Sequence, residues 1–414
     1  MIKAEIISIG DELLNGQTVN TNASWIAKKL SNIGIKNHYT TTIGDLKSDI
    51  KESLDLALDR VDVILITGGL GPTKDDITKH TLAEHFNTSL VENQTILERL
   101  EGFYTARGRE LNELNKTQAL LPREAKVIDN LIGTASGMWF EDKGKVIISM
   151  PGVPREMKKM MEDTILPNLL KFFNSAKIEH YFLKTIGIPE SDLAIILQNW
   201  ESNLPSALKI AYLPSLGMVK LRLTKVEPIS PEKVQEEILK AKKLISKYIY
   251  SEQEEETIEE AVGQLLKESN FTISTAESCT GGYLAHLLTS VSGSSNYYQG
   301  STISYSNEVK EKELGVPQDI LSKFGAVSQE VVEQMAKAAK NKYKTTFALA
   351  TSGIAGPEGG TDEKPVGTIW IAIAYNNSVK SKLLKLNQPR KANIHLTAIT
   401  CLNLLRQTIN SGLS

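Results

Sequence analysis

The stretch Thr275-Ala276-Glu277-Ser278-Cys279-Thr280-Gly281-Gly282 carries the residue types of a nucleophile site. It follows a β-type run, Phe271–Ser274, and precedes a helix-type run from Gly282 to Leu288. A strand that turns sharply into a helix presents a side chain at its apex and aims unpaired N–H groups at whatever sits there. Ser278 stands at that apex, Thr280 offers a second hydroxyl, and Gly281 and Gly282 let a substrate approach the backbone closely. The arrangement suits a nucleophile with an oxyanion hole. A tight strand-to-helix turn that needs small residues is the plainer reading. Cys279 is a rival nucleophile, because a thiol at a helix N-terminus can have a lowered pKa.

A serine needs a base to attack an amide. His286 and His395 fall in helix-type segments and read as surface or packing residues. Gln299–Asn307 reads as a strand ending in a polar turn, and Lys310 lies about a turn and a half further on if a helix starts at Asn307. Tyr305 and Lys310 then lean toward one point. A lysine with a depressed pKa, linked through tyrosine, can replace histidine as the base. The plainer reading of Lys310 is a solvated charge within Glu308–Glu313.

A third piece follows the strand Thr346–Leu349. The loop Ala350–Pro357, continued by Glu358-Gly359-Gly360, offers Gly353, Gly356 and Pro357 where a ligand's phosphate or carboxamide could rest. Arg390 opens the last helix and suits bidentate phosphate contact, or is simply a surface charge.

The N-terminal part has its own candidate site. The run Val61–Thr67 ends in Gly68-Gly69-Leu70-Gly71-Pro72-Thr73-Lys74-Asp75-Asp76. Gly68, Gly69, Gly71 and Thr73 suit a phosphate at the carboxyl end of a strand, although the spacing is neither a P-loop nor a dinucleotide fingerprint. Asp75 and Asp76, with Asp11 and Glu12 at the end of the first strand, suit a bridging divalent cation. Alternatively, Asp75 or Asp76 only caps a helix.

The elements that must position these residues are legible from periodicity. Strands at Lys3–Gly10, His38–Ile43 and Val61–Thr67 alternate with helices at Asn20–Leu30 and Lys47–Leu58, with Asp11–Gln17 as a polar turn. That order predicts a parallel sheet with helices on both faces. Residues 180–250 predict strand, helix, strand, strand and helix: His180–Gly187, Glu190–Trp200, Leu208–Leu213, Met218–Val226 and Glu232–Tyr250. Ser251–Glu256 reads as a solvated acidic linker, and the next helix has Ile258, Ala261, Val262, Leu265 and Leu266 on one face. Val366–Ala372 reads as a buried strand. The fold class expected is α/β: two α/β domains, at 1–174 and 257–414, joined by a small α+β module at 175–250.

The whole composition bounds the function. A 414-residue chain with 41% apolar residues has material for several cores, and a formal charge of -2 gives no global attraction for nucleic acid or anionic membrane. Its two cysteines form no metal-ligand cluster and fit a reducing compartment. With no signal-like start and no membrane-length apolar run, a cytoplasmic protein is expected.

Together, Gly10-Asp11-Glu12-Leu13 and the Gly68–Asp76 loop resemble the molybdopterin-binding fold that opens proteins of the CinA (competence/damage-inducible) family. Asn115–Ala119 before Leu121-Pro122, the small-residue loop Asn130–Gly137 and Ile148–Pro154 fit the same picture. The resemblance implies an ADP-ribose pyrophosphatase in this domain, dependent on divalent Mg, Mn or Co and with a monovalent cation as a further candidate. It implies a KH-like module in the middle. Gly187 and Gly217 are the only glycines between residues 176 and 250, so the GxxG clamp of RNA-binding KH modules is missing. The module is therefore expected to be a spacer or dimerisation element, with no nucleic-acid partner.

The C-terminal motifs, Ala-Glu-Ser-Cys-Thr-Gly-Gly, Tyr-Ser-Asn-x-x-Lys, Thr-Ser-Gly-Ile-Ala-Gly-Pro and Pro-Val-Gly-Thr, resemble that family's last domain and stand-alone nicotinamide mononucleotide (NMN) deamidases. This implies Ser278 as nucleophile, Tyr305 with Lys310 as the proton-handling pair, no cofactor for this half, and N–H groups near Thr280 and Gly281 around the oxyanion. It also implies a homodimer, with NMN and ADP-ribose as the small-molecule partners and pyridine nucleotide salvage as the role. The alternative is a non-catalytic pterin- or nucleotide-binding protein of competence or DNA-damage responses. One departure concerns phosphate binding: the family's last motif often carries a second arginine, and Ile394 stands at its place here.

Overall fold

The computed structural model describes residues 2–73, 76–175 and 177–412. The described residues form two compact units, one up to Glu179 and one from His180 onward.

In the first unit, β1 (Ile2–Ile9), α1 (Thr21–Ser31), β2 (Ile35–Ile43), α2 (Lys47–Arg60), β3 (Val63–Thr67) and α3 (Thr78–His85) alternate as their periodicity predicts. The strands β4 (Lys126–Ile128), β5 (Gly137–Asp142) and β6 (Lys145–Met150) complete a six-stranded sheet of order β2-β1-β3-β6-β5-β4. Every residue of β3 is buried. Its alternate side chains serve two cores: Val63 and Leu65 pack with α1, while Ile64 and Ile66 pack with α2. That is why a strand covered on both faces reads as an unbroken apolar run.

The sheet is mixed, which corrects the expectation of a wholly parallel one. Strands β2, β1, β3 and β6 run parallel, but β5 and β4 pair antiparallel. The cause is the tight turn between β5 and β6, where Lys143 and Gly144 have φ of 48° and 80°. Two successive left-handed residues make a hairpin turn. Asp11–Leu14, expected as an irregular turn, is a single turn of helix.

The second unit begins with a four-stranded antiparallel sheet of order β8-β9-β7-β10, built from β7 (His180–Ile186), β8 (Leu208–Ser215), β9 (Met218–Lys225) and β10 (Ile249–Ser251). Helices α4 (Glu190–Ser202) and α5 (Pro231–Ile245) cover one face through Leu193, Leu197, Val234 and Ile238. The helix predicted to reach Tyr250 ends at Ile245, and Tyr250 sits in the edge strand β10 instead. The acidic run after it is pinned rather than freely solvated. Lys184 Nζ donates to the Glu254 and Glu256 carbonyls, and Ser251 Oγ donates to the Glu256 carboxylate.

The rest of this unit is a five-stranded sheet of order β12-β11-β13-β14-β15, from β11 (Ile273–Glu277), β12 (Tyr298–Ile303), β13 (Phe347–Gly353), β14 (Thr368–Tyr375) and β15 (Ser378–Lys385). The first three run parallel and the last two antiparallel. On one face lie α6 (Ile258–Glu268), α7 (Tyr283–Ser290) and α10 (Arg390–Asn410), packed on Phe347 and Leu349 of β13. The short helix α8 (Asn307–Leu314) follows β12. On the other face α9 (Gln329–Tyr343) lies on Ala348 and Ala350, whose small side chains allow close approach. Arg406 of α10, 4% exposed, donates to the carbonyls of Lys247 and Ile249 at 2.8 and 2.6 Å and so ties this domain to β10.

Candidate active site

The strand β11 runs to Glu277, three residues beyond its predicted end, so Ser278 is the first residue of the turn. The N–H of Ser278 donates to the Thr351 carbonyl at 3.0 Å, which fixes the turn to the neighbouring β13. Helix α8 begins at Asn307, where Ser306 Oγ accepts from the Val309 N–H at 3.2 Å. That start swings Lys310 inward. Its side chain is among the largest fully buried ones, 1% exposed, and is not the solvated charge that its acidic neighbours suggest.

Lys310 Nζ lies 3.0 Å from Ser278 Oγ, 2.8 Å from the Ser304 carbonyl and 3.4 Å from the Tyr305 carbonyl. No carboxylate pairs with it among the described residues, and burial pushes its pKa below the ordinary 10.5. The ammonium or amine group donates to both carbonyls and contacts the Ser278 hydroxyl directly, with no other side chain between them. The structure thus brings Ser278 and Lys310, two of the residues expected to act together, into hydrogen-bond contact.

The rival thiol is set up differently. Cys279 is buried, and burial above all pushes its pKa up to about 12, with the nearby Glu277 adding to the effect. A thiol in that state is a poor nucleophile at neutral pH.

The turn's donors are not disposed as the sequence suggests. Glu277, fully buried, accepts from Thr280 Oγ1 at 2.7 Å and from the N–H groups of Gly282, Leu284 and Ala285 at 3.0, 3.1 and 2.8 Å. The first amides of α7 are therefore taken by this carboxylate and do not point at a ligand. The Gly281 N–H donates to the Ser278 carbonyl at 3.1 Å, so it too is unavailable. Among the described residues, the turn amides with no oxygen acceptor are those of Cys279 and Thr280, and the Cys279 amide also faces its own thiol. Gly281 and Gly282 have φ of 60° and 97°, which favours glycine. A Cβ at Gly281 would meet nothing within 4 Å, so the space over it is open.

Tyr305 and Lys310 are brought near one another by backbone, not by phenol. The Tyr305 ring is 61% exposed, and its hydroxyl accepts from Arg390 Nη2 at 2.9 Å. Arg390 Nη1 donates to the Gly356 carbonyl at 2.7 Å. The exposed Arg390 thus bridges the Tyr305 turn and the loop at Gly356-Pro357, whose peptide bond is cis. Gly353 belongs to β13 and not to a ligand loop: a Cβ there would come within 2.7 Å of Ile369 Cα. Close strand packing accounts for that glycine. Ile394 packs against the apolar core, so the place of the usual second arginine is filled by packing.

In the first unit the predicted phosphate residues gather on one loop. A Cβ at Gly68 would lie 2.3 Å from the Ile9 carbonyl, and one at Gly69 would lie 2.2 Å from Thr78 Oγ1. Asp76 Oδ2 accepts from the N–H and the hydroxyl of Thr73 at 3.0 and 2.5 Å, so this pair closes the loop on itself. The Asp11 N–H donates to Asp45 Oδ2 at 3.2 Å. Burial, with the charges of Asp11, Glu12 and Asp76, raises the Asp45 pKa. Asp75 lies outside the described residues. Among the described residues no three acidic, histidine or cysteine side chains are placed to hold a metal ion together.

Sequence reasoning did not single out Glu277, although it lies next to Ser278 and its carboxylate organises the turn. The cue was its place, a carboxylate just ahead of a helix start. No helix among the described residues is long and apolar enough to cross a membrane.

Known proteins match this chain over nearly all of its length. The family model described as "CinA C-terminal domain" matches residues 255–409, "Probable molybdopterin binding domain" matches 5–171, and "Damage-inducible protein CinA KH domain" matches 180–251. A "CinA-like protein" of Cytophaga hutchinsonii is 47% identical over 412 residues, covering 99% of this chain and 98% of that one. One from Flavobacterium psychrophilum is 44% identical and covers 99% of each. Among solved structures, the "competence/damage inducible protein CihA" of Agrobacterium tumefaciens is 35% identical, covering 37% of this chain and 93% of that one at a TM-score of 0.36.

Proposed function

The chain belongs to the CinA family, and on that premise we propose that its C-terminal domain is a serine amidohydrolase acting on NMN. The observation that carries the reading is the buried Lys310 amine, 3.0 Å from Ser278 Oγ and without a carboxylate partner. Neutral Lys310 takes the Ser278 proton as Oγ attacks the carboxamide carbon. The Cys279 and Thr280 amides receive the oxyanion. The carbon–nitrogen bond breaks as Lys310 returns the proton to the leaving nitrogen, and ammonia departs. Water then attacks the ester, Lys310 again takes a proton and returns it to Oγ, and nicotinate mononucleotide leaves. Arg390, held by Tyr305 and Gly356, suits the phosphate.

Hydroxylamine tests the covalent step. An acyl-enzyme partitions between water and hydroxylamine, so hydroxamate should appear at the expense of acid. Acid formed with no hydroxamate at any hydroxylamine concentration would point to direct attack by water.

For the N-terminal domain we propose the ADP-ribose pyrophosphatase reaction, with Mg, Mn or Co as the divalent ion. The nearness of Asp11, Glu12 and Asp76 to Asp45, at the ends of three neighbouring strands, supports it, and no step is assigned to a metal. A second reading is a nucleotide- or pterin-binding protein of competence or damage responses that turns nothing over. The family descriptions, which speak of damage induction and of no reaction, favour it. On that reading no ammonia is released.

A further inference from the structure

We propose that Glu277 is a positioning residue for Ser278. The inference rests on the serine amidohydrolase reading above. Glu277 is the last residue of β11 and is 0% exposed. Its two oxygens accept from the Thr280 hydroxyl and the Gly282, Leu284 and Ala285 amides around the start of α7, and from the Thr275 hydroxyl of β11 at 3.4 Å. A carboxylate placed there satisfies the helix's unpaired donors and matches the positive end of its dipole. It also ties the end of the strand to the start of the helix, so the four residues between Glu277 and Gly282 that remain as a turn are held at both ends.

The consequence concerns both Ser278 and the oxyanion. With the amides of Gly282, Leu284 and Ala285 taken, the turn amides left for a reacting carbonyl are those of Thr280 and of Cys279, the latter also facing its own thiol. Thr280 is held in its turn, because its hydroxyl donates to Glu277 and lies 2.8 Å from Thr351 Oγ1. Thr351 also supplies the carbonyl that anchors the Ser278 amide. Glu277, Thr280 and Thr351 therefore form one buried network around the nucleophile. Such a network holds its geometry only when every member is satisfied. None of these contacts involves Arg390 or Tyr305, so substrate binding at the phosphate end is independent of Glu277.

Replacing Glu277 by Gln keeps the size but removes the charge and turns one acceptor into an NH2 that faces amide donors. The network must then open, and the Ser278 turn drifts from Lys310. A displacement of about 1 Å at a reacting group costs on the order of 100-fold in rate. The loss falls on kcat, with KM for NMN within about threefold, because uniform binding is untouched.

The test uses the full chain and a fluorophosphonate probe, which an activated serine attacks at phosphorus with loss of fluoride. Labelling of Ser278 is followed by peptide mass spectrometry in wild type, Glu277→Gln and Thr280→Val, beside NMN kinetics. The expected result is a labelling rate constant lowered about 100-fold in Glu277→Gln and less in Thr280→Val, with the final labelled fraction still complete. A residue that only supports folding would lower the final fraction and leave the rate constant of the folded part unchanged, which overturns the proposal. Equal rate constants in wild type and Glu277→Gln overturn it while leaving the amidohydrolase reading intact. Wild type that is neither labelled at Ser278 nor active on NMN overturns both.

Discussion

Replacing Lys310 by Met separates the lysine's chemical role from its burial. Met fills a similar volume, so the pocket keeps its shape. The variant loses the base, and general-base contributions of about 10²–10⁴-fold set the expected fall in NMN turnover. Stability responds in two opposite ways. The Ser304 carbonyl, 2.8 Å from Nζ in a residue that is fully buried, loses its partner, at about 1–3 kcal/mol. Against this, the buried amine no longer has to be accommodated. The sign follows from the lowered pKa: an unfolded lysine keeps its proton up to about 10.5, whereas the folded one gives it up earlier. Wild-type stability therefore rises with pH between the lowered value and 10.5, and the Met variant lacks that rise. Urea unfolding of both proteins between about pH 6 and about pH 10 should show the variant at its best relative to wild type at the acid end. The gap should stay within about 2 kcal/mol at neutral pH, or roughly 4–8 °C in Tm. Activity within tenfold of wild type, or a stability gap that does not change with pH, would refute the assignment of Lys310 as a buried base.

The other expectations concern the neighbours. Cys279→Ser should keep kcat within a few-fold, and iodoacetamide at neutral pH should leave the native thiol unlabelled, since burial holds its pKa near 12. Tyr305→Phe should raise KM for NMN with kcat changed by no more than a few-fold, because its hydroxyl serves Arg390; a hundredfold loss in kcat would return the phenol to the proton path. Gly353→Ala should lower Tm by several degrees, from about 1–3 kcal/mol of overpacking against Ile369, and should leave KM unchanged if strand packing alone requires the glycine.

Much of this was legible in the residues. The alternation of apolar runs places β1, β2 and β3 with their helices, and the small-residue run marks the turn that holds Ser278 directly after β11. The spacing from Asn307 correctly puts Lys310 on the first turns of a helix. Three things were not legible, each because it depends on a partner distant in sequence. Glu277 reads as a loop residue until β13 extends the pairing of β11, by Ala276 to Ala350 and Glu277 to Thr351. Gly353 reads as a ligand loop until Ile369 is seen against it. The Tyr305 side chain reads as Lys310's companion until Arg390, 85 residues on, takes its hydroxyl. The edge strand β10 was read as the end of a helix because three residues are too few to show a period of two.

Ammonia release from NMN by the purified full chain, compared with Ser278→Ala and without added metal, tests the central claim most directly. Wild type should release ammonia steadily, and the variant at least about a thousandfold more slowly. A Ser278→Ala protein as active as wild type would contradict the nucleophile, and an inactive wild type would contradict the amidohydrolase reading and favour the binding protein.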